Sequence, residues 1–298
     1  MKLRRKIASR DFTENMMPHT RKEVFSDVCK MYWFDLLKLG CLLLIAFIPV
    51  LMMFITNDAY EAKLMSEIGI DASQETIEEI RIAVISFRST TNFIQIPFYM
   101  LFSIALAGAL RLVRQYAWEE VVFFWRDLWI GIRQNWKQTV IIALLIGLQN
   151  SVAQYLNVMG DIGQAPALKI AGGIFSGVTW LICFPVYAYM LIEICVYNNT
   201  FMQNMKAAFA LYAKAPLKTL LFLILLAAVF LMSLLPQFLY HMIGQIVGIL
   251  LLPTGVLIWF LFVSAQLDKY INPIHFPELV GRGLYQEITE NEKEDLGK

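Results

Sequence analysis

Six long apolar stretches alternate with polar segments along the chain. They cover residues 36–56, 92–113, 138–157, 170–196, 217–238 and 242–266. A helix that crosses the hydrocarbon core of a bilayer needs about 20 mostly apolar residues, and each stretch has about this length. The pattern predicts an all-α, polytopic membrane helix bundle with six transmembrane helices between residues 36 and 266. The third stretch gives the weakest signal because Gln149, Asn150 and Gln154 interrupt it.

The composition agrees with a membrane protein. The 298 residues are 58% hydrophobic and 16% charged, whereas soluble domains are about 45–50% apolar and about 25% charged. The mean hydropathy is +0.57. A net charge of +1 provides no broad basic surface, so nucleic acid is not an expected partner.

The distribution of Lys and Arg predicts the orientation. These residues are concentrated in segment 1–35, after the second and fourth stretches, and in segment 267–298, and they are sparse in the alternating segments. Positive residues favour the cytosolic side. We therefore expect a cytosolic N-terminal segment (1–35) and a cytosolic tail (267–298), the latter partly disordered because its end is acidic and poor in apolar residues.

Three segments outside the spans have helical patterns. On the cytosolic side, residues 115–137 carry Trp118, Trp125, Trp129 and Trp136 on one helical stripe, and residues 198–215 have a similar plan. We expect both to be amphipathic helices that lie in the membrane interface, anchored by the tryptophans. A third helix should begin at the capping-box pair Thr20 and Glu23 and lead into the first span.

The segment between the first two spans, residues 57–91, is acidic and should lie outside. Within it, Ser73 is expected to cap a short helix. Either a lid that rests on the bundle or a partner-binding site would fit this composition.

No catalytic motif is recognisable in the sequence. The three histidines, His19, His241 and His275, fall on separate segments, which argues against a metal site. None of the four cysteines forms a CxxC pair. We therefore expect neither an enzyme nor a cofactor.

One carboxylate, Glu193, falls inside a predicted span, where hydrocarbon makes a charge costly. It would either pair with Arg111 or Arg114 at the interface or act as a proton-coupling group. Pro185, which precedes it in the same span, should kink or loosen that helix.

A set of neutral polar residues is predicted at similar depth near the outer ends of several spans. It comprises Asn92, Gln95, Gln149, Asn150, Gln154, Gln237, His241 and Gln245. Amides near aromatic rings would suit an uncharged sugar-like solute. The alternative is hydrogen bonding between helices, which holds membrane bundles together.

Two short motifs resemble the YesL-like family of bacterial integral membrane proteins, a family without an established activity. The first lies in the stretch 105–145 and ends in Asn135, Trp136, Lys137 and Gln138, and the second is the run DKYINP at residues 268–273. The resemblance implies a bacterial plasma membrane protein near carbohydrate-uptake systems. It brings no catalytic residues, and it does not extend to the acidic segment 57–91.

Three functional hypotheses follow. The first is an accessory or scaffold protein without catalysis, which would serve subunits of a sugar-uptake transporter in the bilayer. The second is a carrier for a small uncharged solute, built on the polar outer residues. The third is a membrane enzyme acting on lipid or glycan, for which only Glu193, His241 and Asp268 offer acid–base groups.

Overall fold

The computed structural model describes residues 18–66, 73–230 and 238–285, and every regular element within these ranges is helical. The all-α bundle expected from the sequence is therefore confirmed. The helices are α1 (Arg21–Ser66), α2 (Gln74–Ala117), α3 (Phe124–Ile162), α4 (Pro166–Val178), α5 (Phe184–Val196), α6 (Phe201–Lys214), α7 (Pro216–Ala227), α8 (Phe238–Tyr270) and the short α9 (Asn272–His275).

Five helices in the described ranges are long and apolar enough to cross a membrane. The fourth of these, Pro166–Val196, consists of α4, a π-helical turn and α5. Many large apolar side chains on these helices are exposed, among them Ile45, Ile174 and Leu251. A soluble protein would not expose so much apolar surface. The chain is thus a multi-pass membrane protein by the length and composition of its helices.

The fifth predicted span (217–238) differs from the expectation. Only Pro216–Ala227 is α-helical there, and residues 231–237 lie outside the described ranges. The segments Phe201–Lys214 and Pro216–Phe230 bend by 99° relative to each other, and they add a sixth span only if the bent pair counts as one. Pro216 explains the break because proline cannot continue a helix from its preceding turn.

The short helix predicted within the acidic segment 57–91 is the beginning of α2. α1 continues to Ser66 and α2 begins at Gln74, so both spans extend into this segment as a helical hairpin. Ser73 does act as the predicted N-cap, since its Oγ accepts a hydrogen bond of 3.2 Å from the backbone N–H of Thr76. The helix that it caps is α2 itself.

The first expected interfacial helix, 115–137, is also interrupted. α2 runs to Ala117, a non-helical turn follows, and α3 begins at Phe124 and continues without a break into the third span. Glu119 adopts a left-handed φ of 55°, which ends the helical path. The carboxylate of Asp127 accepts a 2.7 Å hydrogen bond from the N–H of Phe123 and so stabilises the start of α3.

The other two expected helices form. Thr200 and Gln203 make a capping box at the start of α6, and Glu23 accepts hydrogen bonds from the N–H groups of His19 and Thr20 at the start of α1. α1 leads into the first span with a break at Tyr32, where φ is −121° and ψ is 15°.

Small residues allow the long helices to approach one another closely. Gly40 of α1 lies against the backbone of Leu250 in α8, and Gly108 of α2 lies beside Gly131 of α3. Such contacts are typical of membrane bundles, in which van der Waals packing drives helix association. α1 packs on α2 and α8, α3 packs on α2, and α4 packs on α3. α5 is buried along most of its length and contributes to the same core.

Candidate functional site

The polar residues of α2, α3 and α5 bond in separate pairs. The amide of Asn92 donates to Gln154, and the amide of Gln149 donates to the Tyr187 hydroxyl at 3.2 Å. Gln95 accepts a 3.2 Å hydrogen bond from Tyr99 on its own helix. These bonds hold α2 to α3 and α3 to α5, as expected for interhelical hydrogen bonding.

The remaining members of the predicted polar set lie elsewhere. His241 and Gln245 are on α8, and the His241 ring packs edge-on against Phe54 of α1. Gln237 lies outside the described residues. The hydrogen bonds of Asn92, Gln95 and Gln149 thus join three separate pairs, while convergence of the whole set on one cavity stays a prediction.

One of these residues, Asn150, lines a cavity of about 300 Å³ between α2, α3 and the fourth span. Most of its wall is apolar, with Trp180 and Leu191 on one side. Ser103 and Thr139 are the other short polar side chains in the wall. This cavity is large enough for a small molecule, at the lower end of the usual range of about 300–1,000 Å³.

The fourth span is broken where the sequence predicts it. Residues Thr179–Cys183 form a π-helical turn just before Pro185. Proline has no N–H, so the carbonyl of Leu181 loses the partner that a regular helix would provide. The hydroxyl of Tyr212, from α6, donates to this carbonyl instead.

This bond also fixes the direction of α6. Phe209 and Met205 of α6 face Ile182 and Val186 across one pocket, and Tyr212 reaches Leu181. α6 therefore runs antiparallel along part of the fourth span. Its position in the membrane interface stays a prediction.

Glu193 lies on α5 and is fully buried. Neither carboxyl oxygen has a hydrogen-bond partner among the described residues. The expected pairing of Glu193 with Arg111 or Arg114 is not formed. Arg111 donates to Gln134, and Arg114 donates to the carbonyl of Cys195. An unsatisfied buried polar group costs about 1–3 kcal/mol, so Glu193 should destabilise the folded protein.

Beyond Glu193, polar side chains join the ends of four chain segments. Arg21, at the start of α1, forms a 2.6 Å ion pair with Asp268 at the end of α8. Asp268 also accepts a 2.8 Å hydrogen bond from Asn272, and Asn272 in turn accepts one from the hydroxyl of Tyr197, just after α5. Burial, followed by the nearby Glu193 and Asp268 carboxyls, raises the pKa of the Tyr197 phenol.

The same network continues to the turn between α2 and α3. Arg282 pairs with Glu120 at 2.9 Å, and its backbone carbonyl accepts a 2.8 Å hydrogen bond from Arg21. Glu120 also lies 3.8 Å from Arg114. We call this network the clasp, and its members are Arg21, Arg114, Glu120, Tyr197, Asp268, Asn272 and Arg282.

Both motifs that carry the family resemblance contribute to this end of the bundle. Asp268 and Asn272 of DKYINP belong to the clasp. In the other motif, Gln138 donates to the Asn199 carbonyl at 3.1 Å and accepts from Asn204 at the same distance. The motif residues thus tie α3 and α8 to the segment around α5 and α6.

The four tryptophans have different environments. Trp118 is half-buried, with the guanidinium groups of Arg282 and Arg114 at 4.4 and 4.9 Å from its ring. Trp125, Trp129 and Trp136 are exposed on α3, and their role as membrane anchors stays a prediction.

Sequence reasoning missed the clasp. Its only signal was the run DKYINP, and the partners Arg21, Glu120 and Arg282 are far from it in sequence. Within the described ranges, no group of three His, Cys, Asp or Glu side chains is arranged to hold a metal ion.

Comparison of the chain with models of protein families, with curated proteins and with solved structures finds no match.

Proposed function

We propose that the protein is an accessory or scaffold component of the bacterial plasma membrane that works with a carbohydrate-uptake system and carries out no chemistry itself. The observation that carries this proposal is the contrast between the clasp, which joins four chain segments at one end, and the paired amides elsewhere. The clasp favours a rigid scaffold. The amides that the structure describes bond in separate pairs and not along the continuous polar path that a carrier needs.

The proposed topology has both chain ends in the cytosol. Two observations support it: the excess of Lys and Arg in segments 1–35 and 267–298, and the 2.8 Å hydrogen bond between the N–H of Tyr285 and the carbonyl of Pro18. This bond places Pro18 and Tyr285, the first and last residues that the structure describes, on the same side of the bundle. Reporter fusions at each end should both respond as cytosolic, and a response of opposite sign would contradict the topology.

The link to carbohydrate uptake rests on the resemblance to YesL-like proteins. Its test is cross-linking and purification of the tagged chain from native membranes of cells grown on polysaccharide. We expect subunits of a sugar-uptake transporter to be recovered, and recovery of the chain alone would contradict the proposal. A Trp125→Ala, Trp129→Ala variant removes exposed rings from the cytosolic part of α3, and an Ile77→Ala variant at the opposite end is the matched control.

A carrier for a small uncharged solute is the second candidate, favoured by the cavity beside the π-helical turn. In reconstituted vesicles, Asn150→Leu should abolish uptake if this cavity binds the solute. Gln154→Leu is the control, because Gln154 bonds to Asn92 outside the cavity. Unchanged uptake with Asn150→Leu would eliminate this candidate.

The enzyme hypothesis receives the least support. Asp268 is engaged in the clasp, while His241 packs against Phe54 near the opposite end of α1. These two groups and Glu193 therefore do not share one site.

A further inference from the structure

An apolar groove lies between the start of α1 and the helices α7 and α8. Its volume is about 540 Å³, and Phe25, Phe222, Ile258, Leu261 and Phe262 form most of its wall. The rings of Phe222 and Phe262 stack with their centroids 4.4 Å apart. A groove of this size and polarity accepts an extended apolar chain.

The rim of this groove is basic. Arg21 and Lys22 line it, and the Lys218 Nζ lies 5.8 Å from the centre of the Phe262 ring. Lys22 and Lys218 are exposed, and neither has an acidic partner within the described ranges. Arg21 uses two of its nitrogens in the clasp, where the carboxylate of Asp268 balances its charge. Lys22 and Lys218 are therefore the cations of this rim that are free to meet an anion.

We propose that this groove is a binding site for an anionic phospholipid, with an acyl chain along Phe222 and Phe262 and the phosphate at Lys22 and Lys218. Basic pockets between membrane helices bind anionic headgroups in this way. The rim lies at the end of the bundle that carries the clasp, so the lipid comes from the leaflet on that side.

Charge and polarity disfavour the chain's own terminal segments as occupants. Residues 1–17 carry Lys2, Arg4, Arg5, Lys6 and Arg10 and would be repelled by the rim. Residues 286–298 are acidic, but Ile288 and Leu296 are their only large apolar residues, too few to cover the aromatic wall. A phospholipid supplies both the negative charge and the apolar length.

The test compares phosphatidylglycerol with phosphatidylcholine on the purified full chain, with bound lipid counted by native mass spectrometry and the Tm followed in parallel. Wild type should bind phosphatidylglycerol more tightly than phosphatidylcholine, and phosphatidylglycerol should raise its Tm. Lys22→Gln with Lys218→Gln should lower the phosphatidylglycerol affinity by about tenfold or more, since each lysine near an anionic surface contributes several-fold. Lys206→Gln with Lys214→Gln makes the same charge change on α6, outside the groove, and should alter affinity by less than about twofold.

Four results would overturn the proposal. The first is equal binding of the two lipids by wild type, and the second is an equal loss of affinity in both double variants. The third is a Tm gain with inorganic phosphate as large as that with phosphatidylglycerol, which would exclude the acyl chain. The fourth is lipid binding by a chain that ends at Tyr285 but not by wild type, which would assign the groove to residues 286–298.

Discussion

The two ends of this bundle are held together in different ways. At one end, ion pairs and hydrogen bonds of the clasp connect the starts or ends of α1, α5 and α8 with the α2–α3 turn, and Arg21 and Asp268 keep only 15% and 19% side-chain exposure. At the other end, Arg88 pairs with Glu61 and Asp58 across the α1–α2 hairpin, where the side chains are 50%, 33% and 34% exposed. The first arrangement joins distant segments, and the second only reinforces two neighbouring helices.

The difference shows where ionic contacts affect stability. Exposed ion pairs contribute about 0–1 kcal/mol because water screens them. Breaking a shielded pair costs more, since the remaining charge is left without its partner. Stability and overall arrangement should therefore depend on the clasp far more than on the ion pairs of the α1–α2 hairpin.

The largest effect is expected for Asp268→Asn. It removes the ion pair with Arg21, and the free energy of unfolding should fall by about 2–3 kcal/mol. Denaturant titration in mixed micelles measures this change. Arg88→Gln is the matched variant at the other end and should cost no more than about 1 kcal/mol. Equal losses in the two variants would remove the distinction between the ends.

A comparable loss is expected for Gly283→Ala, next to Arg282 of the clasp. Gly283 has a φ of +81°, and an added Cβ would meet the carbonyl oxygen of Ala117. The left-handed backbone conformation and the steric clash together should lower the free energy of unfolding by about 2 kcal/mol, measured in the same titration. Gly173→Ala in α4 is the control, because a Cβ there meets nothing, and it should leave stability unchanged or raise it by up to about 1 kcal/mol. A neutral Gly283→Ala would mean that the C-terminal turn is not held against α2.

Glu193→Met should raise the free energy of unfolding. It tests whether the unbonded carboxyl next to the clasp destabilises the folded protein. The change removes a buried polar group that has no partner and fills a similar volume. We expect a gain of about 1–2 kcal/mol. Glu193→Gln should give a smaller change because it keeps an unbonded polar group. Destabilisation by methionine would reveal that the carboxyl has a partner in the folded protein.

The smallest effect is expected for the amide pair that Asn92 of α2 forms with Gln154 of α3. Asn92→Leu, Gln154→Leu and the double variant form a thermodynamic cycle. The coupling energy should be about 0.6–1 kcal/mol, as for other hydrogen bonds between membrane helices, and membrane insertion should be unaffected. A coupling energy as large as that between Arg21 and Asp268 would mean that polar contacts stabilise the two ends of the bundle equally.

Local signals in the sequence were reliable. Apolar runs predicted most of the long helices, and short patterns predicted the caps at Ser73 and Thr20, whereas the capping box at Thr200 is seen only in the structure. Pro185 predicted the loosened turn in the fourth span. Each of these depends on residues within a few positions of one another, because helix capping and backbone hydrogen bonding are local.

The partners of polar side chains could not be predicted in the same way. Hydropathy gives the depth of a residue in the bilayer, but it does not say which helices are neighbours. Asn92 and His241 were assigned a similar depth, yet Asn92 bonds within the α2–α3 pair and His241 packs on α1. The Arg21–Asp268 pair and the Tyr212–Leu181 bond likewise join segments whose proximity only the folded chain determines.

The pairing of Arg21 with Asp268 also constrains how the protein is made. A ribosome releases Arg21 early, whereas its partner emerges only after nearly all of the apolar helices have been synthesised. Until then, the cation at the start of the first helix lacks its counter-ion. Chains that stop before Asp268 can never close this contact, so premature termination should yield products that proteolytic quality control degrades quickly.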